Sequence, residues 1–147
     1  MPFRHSDRSH NLDTRIEAEV RERLEEAIDY VCLEALVRAR RERGQPAPVA
    51  DNAADRREYD ARVLAFLGLL ERELAPLLSD DQRGKLAAAS AAAGEEAARL
   101  LAVQVSLARL LPDYWQRFDG VRARYLAEPL PSGSEGGGLL ARLFRRG

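Results

Sequence analysis

The sequence predicts an all-α protein: a four-helix bundle-like domain of two long and two shorter helices, followed by a flexible linker and a short amphipathic tail. Apolar residues recur at spacings of three and four over most of the chain, as on one face of a helix. Aromatic residues make up only 6% and β-branched residues are few, so there is little from which to build a sheet. The predicted domains are a disordered tail over 1–10, the bundle over 11–127, the linker over 128–138 and the amphipathic tail over 139–147.

The first helix is expected to begin near Asn11 or Asp13 and to end near Arg43. Its apolar positions repeat every four residues at Leu12, Ile16, Val20, Leu24 and Ile28. From Ala27 to Val37 the segment is apolar nearly all round, which predicts that this half is covered on more than one side. Gly44 is placed to cap the end of the helix.

The second helix is expected to begin near Asp55 and to continue through Leu74. Its apolar positions follow helical spacing at Tyr59, Val63, Phe66, Leu67 and Leu70. Pro76 either ends this helix or kinks it, because proline removes a backbone donor and clashes with the preceding turn.

The stretch from Ser79 to Leu111 is predicted to form one continuous central helix around which the others pack. Ser79 and Gln82 form a capping box, and two aspartates occupy the first turn, where the helix dipole favours negative charge. The middle is rich in alanine, the best helix former, whose small side chain lets neighbouring helices come close. Gly84 and Gly94 are interpreted as positions of close backbone approach.

A last helix is predicted to begin at Pro112 and to end near Ala127. It concentrates aromatic side chains and the single tryptophan of the chain. Core packing of a short helix explains this cluster. The alternative is a partner-binding face with Tyr114, Trp115 and Phe118 as candidate interface residues, since Trp and Tyr are enriched at binding hot spots.

Composition and charge exclude several classes of protein. A formal net charge of -1 argues against nucleic-acid binding by bulk attraction. A single cysteine permits no intramolecular disulfide, and the amino terminus has no apolar core of a signal peptide. Because no apolar run approaches the roughly 18–20 residues that span a bilayer, we expect a cytoplasmic protein, with the inner membrane face as a peripheral location.

No catalytic or metal-binding motif stands out. Glu-x-x-His motifs of di-iron bundles are missing, and both histidines lie in the amino-terminal tail. No glycine-rich phosphate loop follows a strand. Cys32 lies in the most apolar stretch and is expected to be buried and inert. Gln104 sits on an apolar face, where it either pairs with another amide or turns to water. We therefore expect no enzyme, no metal and no cofactor, with an unrecognised active site as the most distant alternative.

The C-terminal tail carries a pattern that the bundle does not need. Its apolar residues fall on one helical face, with arginines beside and opposite; the set is Leu139, Leu140, Arg142, Leu143, Phe144, Arg145 and Arg146. This segment resembles the C-terminal membrane-targeting helix of MinD-family division ATPases, which also ends in an apolar and basic segment around a Leu-Phe pair. The resemblance covers 139–147 only and implies no ATPase activity, because the chain has no Walker motif. The alternatives are a disordered tail, one folded back on its own bundle, and docking on a protein or on an anionic membrane.

These observations favour a non-enzymatic adaptor, scaffold or regulatory subunit that acts through protein–protein interaction, with the tail as a recruitment peptide. The alternative is a peripheral membrane protein anchored by the tail. A homodimer is predicted as well, because two helices of about 30 residues reach about 45–50 Å and shorter helices cannot cover them along their whole length.

Overall fold

The computed structural model describes the backbone of residues 2–92 and 94–127, and the side chains of residues 11–91 and 94–127. Over these residues the chain is all-helical without a strand, which confirms that the protein is all-α. Five α-helices form there: α1 (Pro2–Glu42), α2 (Ala53–Leu74), α3 (Asp80–Ala92), α4 (Glu96–Leu110) and α5 (Tyr114–Ala127). A 3-10 turn, Ala75–Leu77, links α2 to α3 where Pro76 ends the α-helical pattern.

Four of the helices surround one core. Every pair among α1, α2, α4 and α5 is in contact, whereas α3 packs mainly on α4. The helices α1 and α2 run antiparallel, because Arg40 near the end of α1 hydrogen-bonds Asp55 and Glu58 near the start of α2. The core between them is aliphatic and aromatic, and it includes Leu24, Cys32, Phe66, Leu70, Leu107 and Phe118.

Helix α1 is longer at its start than the sequence analysis expected. Its backbone is helical from Pro2, where a proline fits because the first turn has no acceptor for its missing N–H. At its other end the predicted glycine cap is confirmed. Gly44 adopts a positive φ of 65°, and the Gln45 amide donates to the Arg40 carbonyl at 2.8 Å. This six-to-one hydrogen bond is the Schellman ending that glycine favours.

The prediction of a single central helix was wrong. The capping box at its start is present, with the Ser79 amide donating to Gln82 Oε1 at 2.9 Å and the Gln82 amide donating to Ser79 Oγ at 3.2 Å. The helix then stops at Ala92, and α4 begins at Glu96. The two helices fold back antiparallel, since Gln82 donates to the Leu110 carbonyl at 3.5 Å.

The interpretation of the glycines and alanines in this stretch was also wrong. A Cβ atom added at Gly84 or Gly94 would meet nothing within 4 Å, so neither glycine serves close approach. Ala87 and Ala88 are exposed rather than packed against a neighbour. A continuous helix over residues 79–111 would be about 50 Å long, about twice the length of α4. Folding back instead places Leu86 of α3 in the core.

Candidate functional site

The candidate site is an open trough on one side of the α1–α2 pair. Two grooves share Asp29, Arg56 and Tyr59 and so form one continuous surface, which we call the trough. Its upper groove, of about 490 Å³, lies between α1, α2 and the loop that joins them. Its lower groove, of about 530 Å³, is closed at one end by the start of α4.

The trough exists because α4 begins partway along the α1–α2 pair and so does not cover its whole length. Near the start of α4, Ala97 and Ala98 line the lower groove together with Glu25 and Ile28 of α1. Beyond this level α1 continues to Glu42, yet no part of α4 or α5 lines the upper groove. The lining positions on α1 extend from Glu25 to Leu36, which corresponds to about 16 Å of helix.

The floor of the trough is apolar and partly open to solvent. Leu33 of α1 is 44% exposed and Val49 of the loop is 58% exposed, and both line the upper groove. In the lower groove the floor continues through Val63, Leu67 and Leu101. Large exposed apolar side chains gathered in one concave surface are typical of an interaction site.

The rim of the trough is acidic. Five carboxylate side chains and one arginine line the two grooves; the acids are Glu25, Asp29, Asp55, Asp60 and Glu95. The arginine, Arg56, pairs with Asp60 at 3.4 Å and lies over the Tyr59 ring at 5.6 Å from its centroid. Asp55 is paired in turn with Arg40, so the excess negative charge that would attract a basic partner comes from Glu25, Asp29 and Glu95.

Hydrogen bonds hold both the middle and the upper wall of the trough. The Tyr59 hydroxyl donates to Asp29, joining α2 to α1 across the floor, and burial together with this bond raises the pKa of Tyr59. In the wall, the Val49 amide donates to Asp55 Oδ2 at 2.8 Å and Arg40 donates to Asp55 Oδ1 at 2.5 Å. These two donors lower the pKa of Asp55, because both favour its charged form.

The described residues that line the trough include no cysteine, serine or histidine. Cys32 is fully buried on another side of α1, and burial raises the pKa of its thiol to about 12. Among the described side chains, no group of three or more His, Cys, Asp or Glu residues is placed to hold a metal ion. In the same part of the chain, no helix is both long and apolar enough to cross a bilayer.

The predicted interface residues, Tyr114, Trp115 and Phe118, do not line either groove of the trough. The tail residues Leu139 to Arg146 fall outside the described residues. Tyr114 and Phe118 are buried in the core of the single chain, as core packing of this helix requires. Trp115 is half-buried, and the Arg23 guanidinium covers its ring at 3.9 Å from the centroid. A partner that bound this helix would meet Trp115 rather than the other two aromatic residues.

On the side of the α1–α2 pair that faces α5, the core contains a buried cation. Arg62 is only 1% exposed, and its Nε and Nη2 atoms have no hydrogen-bond partner among the described residues. Burial raises the pKa of Tyr125, and the charge and the hydrogen bonding of the nearby Arg62 guanidinium oppose that rise. A buried charge without a counter-charge is destabilising in general, so we expect Arg62 to lower the stability of the fold.

Gln104 is the second polar residue in the core. It is fully buried, and its Oε1 accepts a hydrogen bond from the Tyr114 hydroxyl at 2.7 Å, while its Nε2 has no partner in the described part of the chain. The two outcomes expected from the sequence, an amide partner or a turn to water, were both wrong, because a phenol occupies that place. The bond joins α4 to α5 near the turn between them.

Sequence reasoning missed Leu33, Val49 and Arg62 as residues of interest. Leu33 belongs to the segment that is apolar nearly all round, a pattern that predicts cover on more than one side, so its 44% exposure departs from that prediction. Arg62 shares the four-residue spacing of Phe66 and Leu70, which would have placed it on the buried face.

Compared with protein-family models, with curated proteins and with solved structures, the chain matches none of them.

Proposed function

We propose that this chain is a non-enzymatic adaptor or regulatory subunit that binds an amphipathic, basic helical segment of a partner protein in the trough. The C-terminal tail serves as a second recruitment element. The observation that carries the proposal is the trough itself, a concave apolar floor with an acidic rim that is open to solvent.

The shape of the floor suits a helix. A helix-in-groove partner presents apolar residues every three or four positions to a hydrophobic groove between two other helices. The trough lies between α1 and α2, and its exposed floor residues Leu33 and Val49 would be covered by such a segment. A length of about 16 Å accommodates about three turns.

The charge of the rim suits a basic segment. Glu25 and Glu95 stand at the lower end of the trough and have no ion-pair partner among the described residues. Arginine or lysine residues flanking the apolar face of a partner would reach them. Because exposed charges are screened by salt, we expect association to slow as ionic strength rises.

A crosslinking experiment tests the proposal. A photoreactive residue placed at Leu33 should form adducts with the partner, and the same residue at Tyr30 should not. Tyr30 is 77% exposed and lies one turn away on α1, but it lines neither groove, so it is the matched control. Leu33→Glu should abolish capture of the crosslinked partner, and Tyr30→Glu should leave it unchanged.

Equal capture by the wild-type, Leu33→Glu and Tyr30→Glu proteins, with no adduct at Leu33, would overturn the proposal. Removal of residues 129–147 separates the two recruitment elements, because a trough partner is retained by the shortened chain whereas a tail partner is lost. Binding of the tail to anionic vesicles alone would support the peripheral membrane alternative.

The homodimer remains a prediction, and it now rests on the length of α1 alone. Because the central helix is two helices, only α1 is long, and its apolar residues Leu12 and Ile16 remain 57% and 40% exposed. A second copy could cover this end of α1. Light scattering that gives the mass of one chain at micromolar concentration would contradict it.

A further inference from the structure

We infer that the C-terminal tail, residues 139–147, occupies the trough of its own chain and must leave before a partner segment can enter. The inference rests on the proposed function, since it names the trough as the regulated site and the tail as its internal competitor. Four separate observations support it: the matching apolar surfaces, the complementary charges, the similar lengths of tail and trough, and the length of the linker.

The apolar face of the tail matches the floor of the trough. At helical spacing, Leu139, Leu140, Leu143 and Phe144 fall on one face. The trough presents two exposed apolar side chains, Leu33 and Val49, above a floor that continues along α2. Docking would remove apolar surface of both partners from water in one step.

The charges are complementary. The tail carries three arginines, Arg142, Arg145 and Arg146, and no acidic residue. The trough is lined by five carboxylates and one arginine, with Glu25, Asp60 and Glu95 along the lower groove. Arginine side chains are long enough to keep an apolar stem against the floor while the guanidinium reaches a carboxylate at the rim.

The lengths agree. A helix of the tail's nine residues is about 13.5 Å long, and the trough measures about 16 Å along α1. The start of α4 closes the lower end of the trough. A tail helix placed above it would continue the layer of α4 and cover the part of the α1–α2 pair that α4 leaves open.

The tether is long enough. The chain leaves α5 at Ala127, and residues 128–138 separate it from the tail. Such a glycine- and serine-containing linker has a typical span of about 18 Å and extends to about 37 Å. Packed helices lie about 8–10 Å apart, so passing from α5 around the α1–α2 pair takes about two such spacings. A short tether also holds the tail at about millimolar effective concentration, which lets a weak contact be occupied.

A cysteine-labelling experiment tests the inference on the full chain. Leu33→Cys reports occupancy of the trough, and the native Cys32 interferes little because it is buried with a strongly raised pKa. In the full chain this new thiol should react about five- to tenfold more slowly than in the same chain that also carries Leu143→Glu and Phe144→Glu. Tyr30→Cys should react at one rate in both backgrounds.

Two further measurements keep the result decisive. Val49→Cys, in the loop that lines the upper groove, should show the same dependence on the tail as Leu33→Cys. Protection should not change when the protein is diluted a hundredfold. Protection that disappears on dilution would place the tail in the trough of a second copy and overturn the intramolecular form.

Equal labelling of Leu33→Cys with and without the two tail substitutions would overturn the inference. If the partner adduct at Leu33 is still formed in that case, the proposed function stands without the tail. If protection is found but no partner reaches Leu33, the tail docks as inferred and the proposed function fails.

Discussion

The two sides of the α1–α2 pair are built from the same two helices, but one side is covered by a third helix and the other is partly open to solvent. The side facing α5 is covered, with Phe66 packed against Phe118 at 5.7 Å between ring centroids and against Tyr125 at 5.1 Å. The other side is the trough, where Leu33 and Val49 remain exposed. Both sides are apolar, so hydrophobicity does not distinguish them. The two sides differ in how far a third helix covers them. Helix α5 lies along one side, whereas α4 begins at Glu96 and leaves part of the other side uncovered.

This difference separates stability from binding. Apolar surface that is covered within the chain stabilises the fold, and apolar surface left open remains available to a ligand. Substitutions on the α5 side should therefore change the free energy of unfolding, and substitutions in the trough should change binding. Three variants test how sharp that separation is.

The largest effect is expected from Phe118→Ala. Phe118 is 2% exposed and contacts Phe66, Tyr114 and Trp115, so its truncation leaves a cavity that the aromatic cluster cannot easily fill. We expect a loss of about 3–5 kcal/mol in the free energy of unfolding, measured by denaturant titration. Leu33→Ala in the trough should lose less than about 1 kcal/mol. Similar losses for the two variants would show that the trough is part of the core.

An effect of the opposite sign is expected from Arg62→Met. Methionine keeps the apolar length of the side chain and removes a buried charge whose Nε and Nη2 atoms have no hydrogen-bond partner among the described residues. We expect the free energy of unfolding to rise by about 1–4 kcal/mol, read from the same titration. Arg40→Met is the control and should lower stability, because it leaves two carboxylates without their shared donor. A less stable Arg62→Met protein would mean that the guanidinium has a stabilising partner.

The smallest effect is expected from Asp55→Asn, and it depends on pH. The Val49 amide and Arg40 hold the folded-state pKa of Asp55 below its ordinary value of 3.8. Its contribution to stability is therefore complete above the unfolded-state pKa and is lost as the pH falls through the folded-state value. The wild-type melting temperature should exceed that of Asp55→Asn at pH 7, and the difference should shrink below pH 3.8. A difference that is constant down to pH 2.5 would contradict this.

The local endings of the helices were predictable because a few neighbouring residues decide them. The capping box at Ser79 and the glycine ending at Gly44 both agree with the sequence. The break before Glu96 was not predicted, although a glycine followed by two acidic residues is a signal for a new helix start. Alanine favours continuing the helix, and only packing against α4 decides in favour of the turn.

The site was harder to predict than the fold. The trough depends on where α4 begins, and that position follows from the turn that the sequence analysis missed. Val49 lies in a loop without a motif, so nothing local distinguished it. The nearly continuous apolarity of Ala27–Val37 did indicate two apolar sides of α1, but it could not say which of them would be covered.

The way α3 is attached has a consequence for handling the protein. Leu86 is its only buried residue among the described side chains, and its packing is mainly on α4. An element with so little buried surface opens at a lower free energy than the core helices. On mild warming, α3 should therefore detach first and expose the apolar surface of α4 beneath it, while α1, α2 and α5 remain folded. Aggregation on heating would then begin from this partly opened chain, well below the temperature at which the core unfolds.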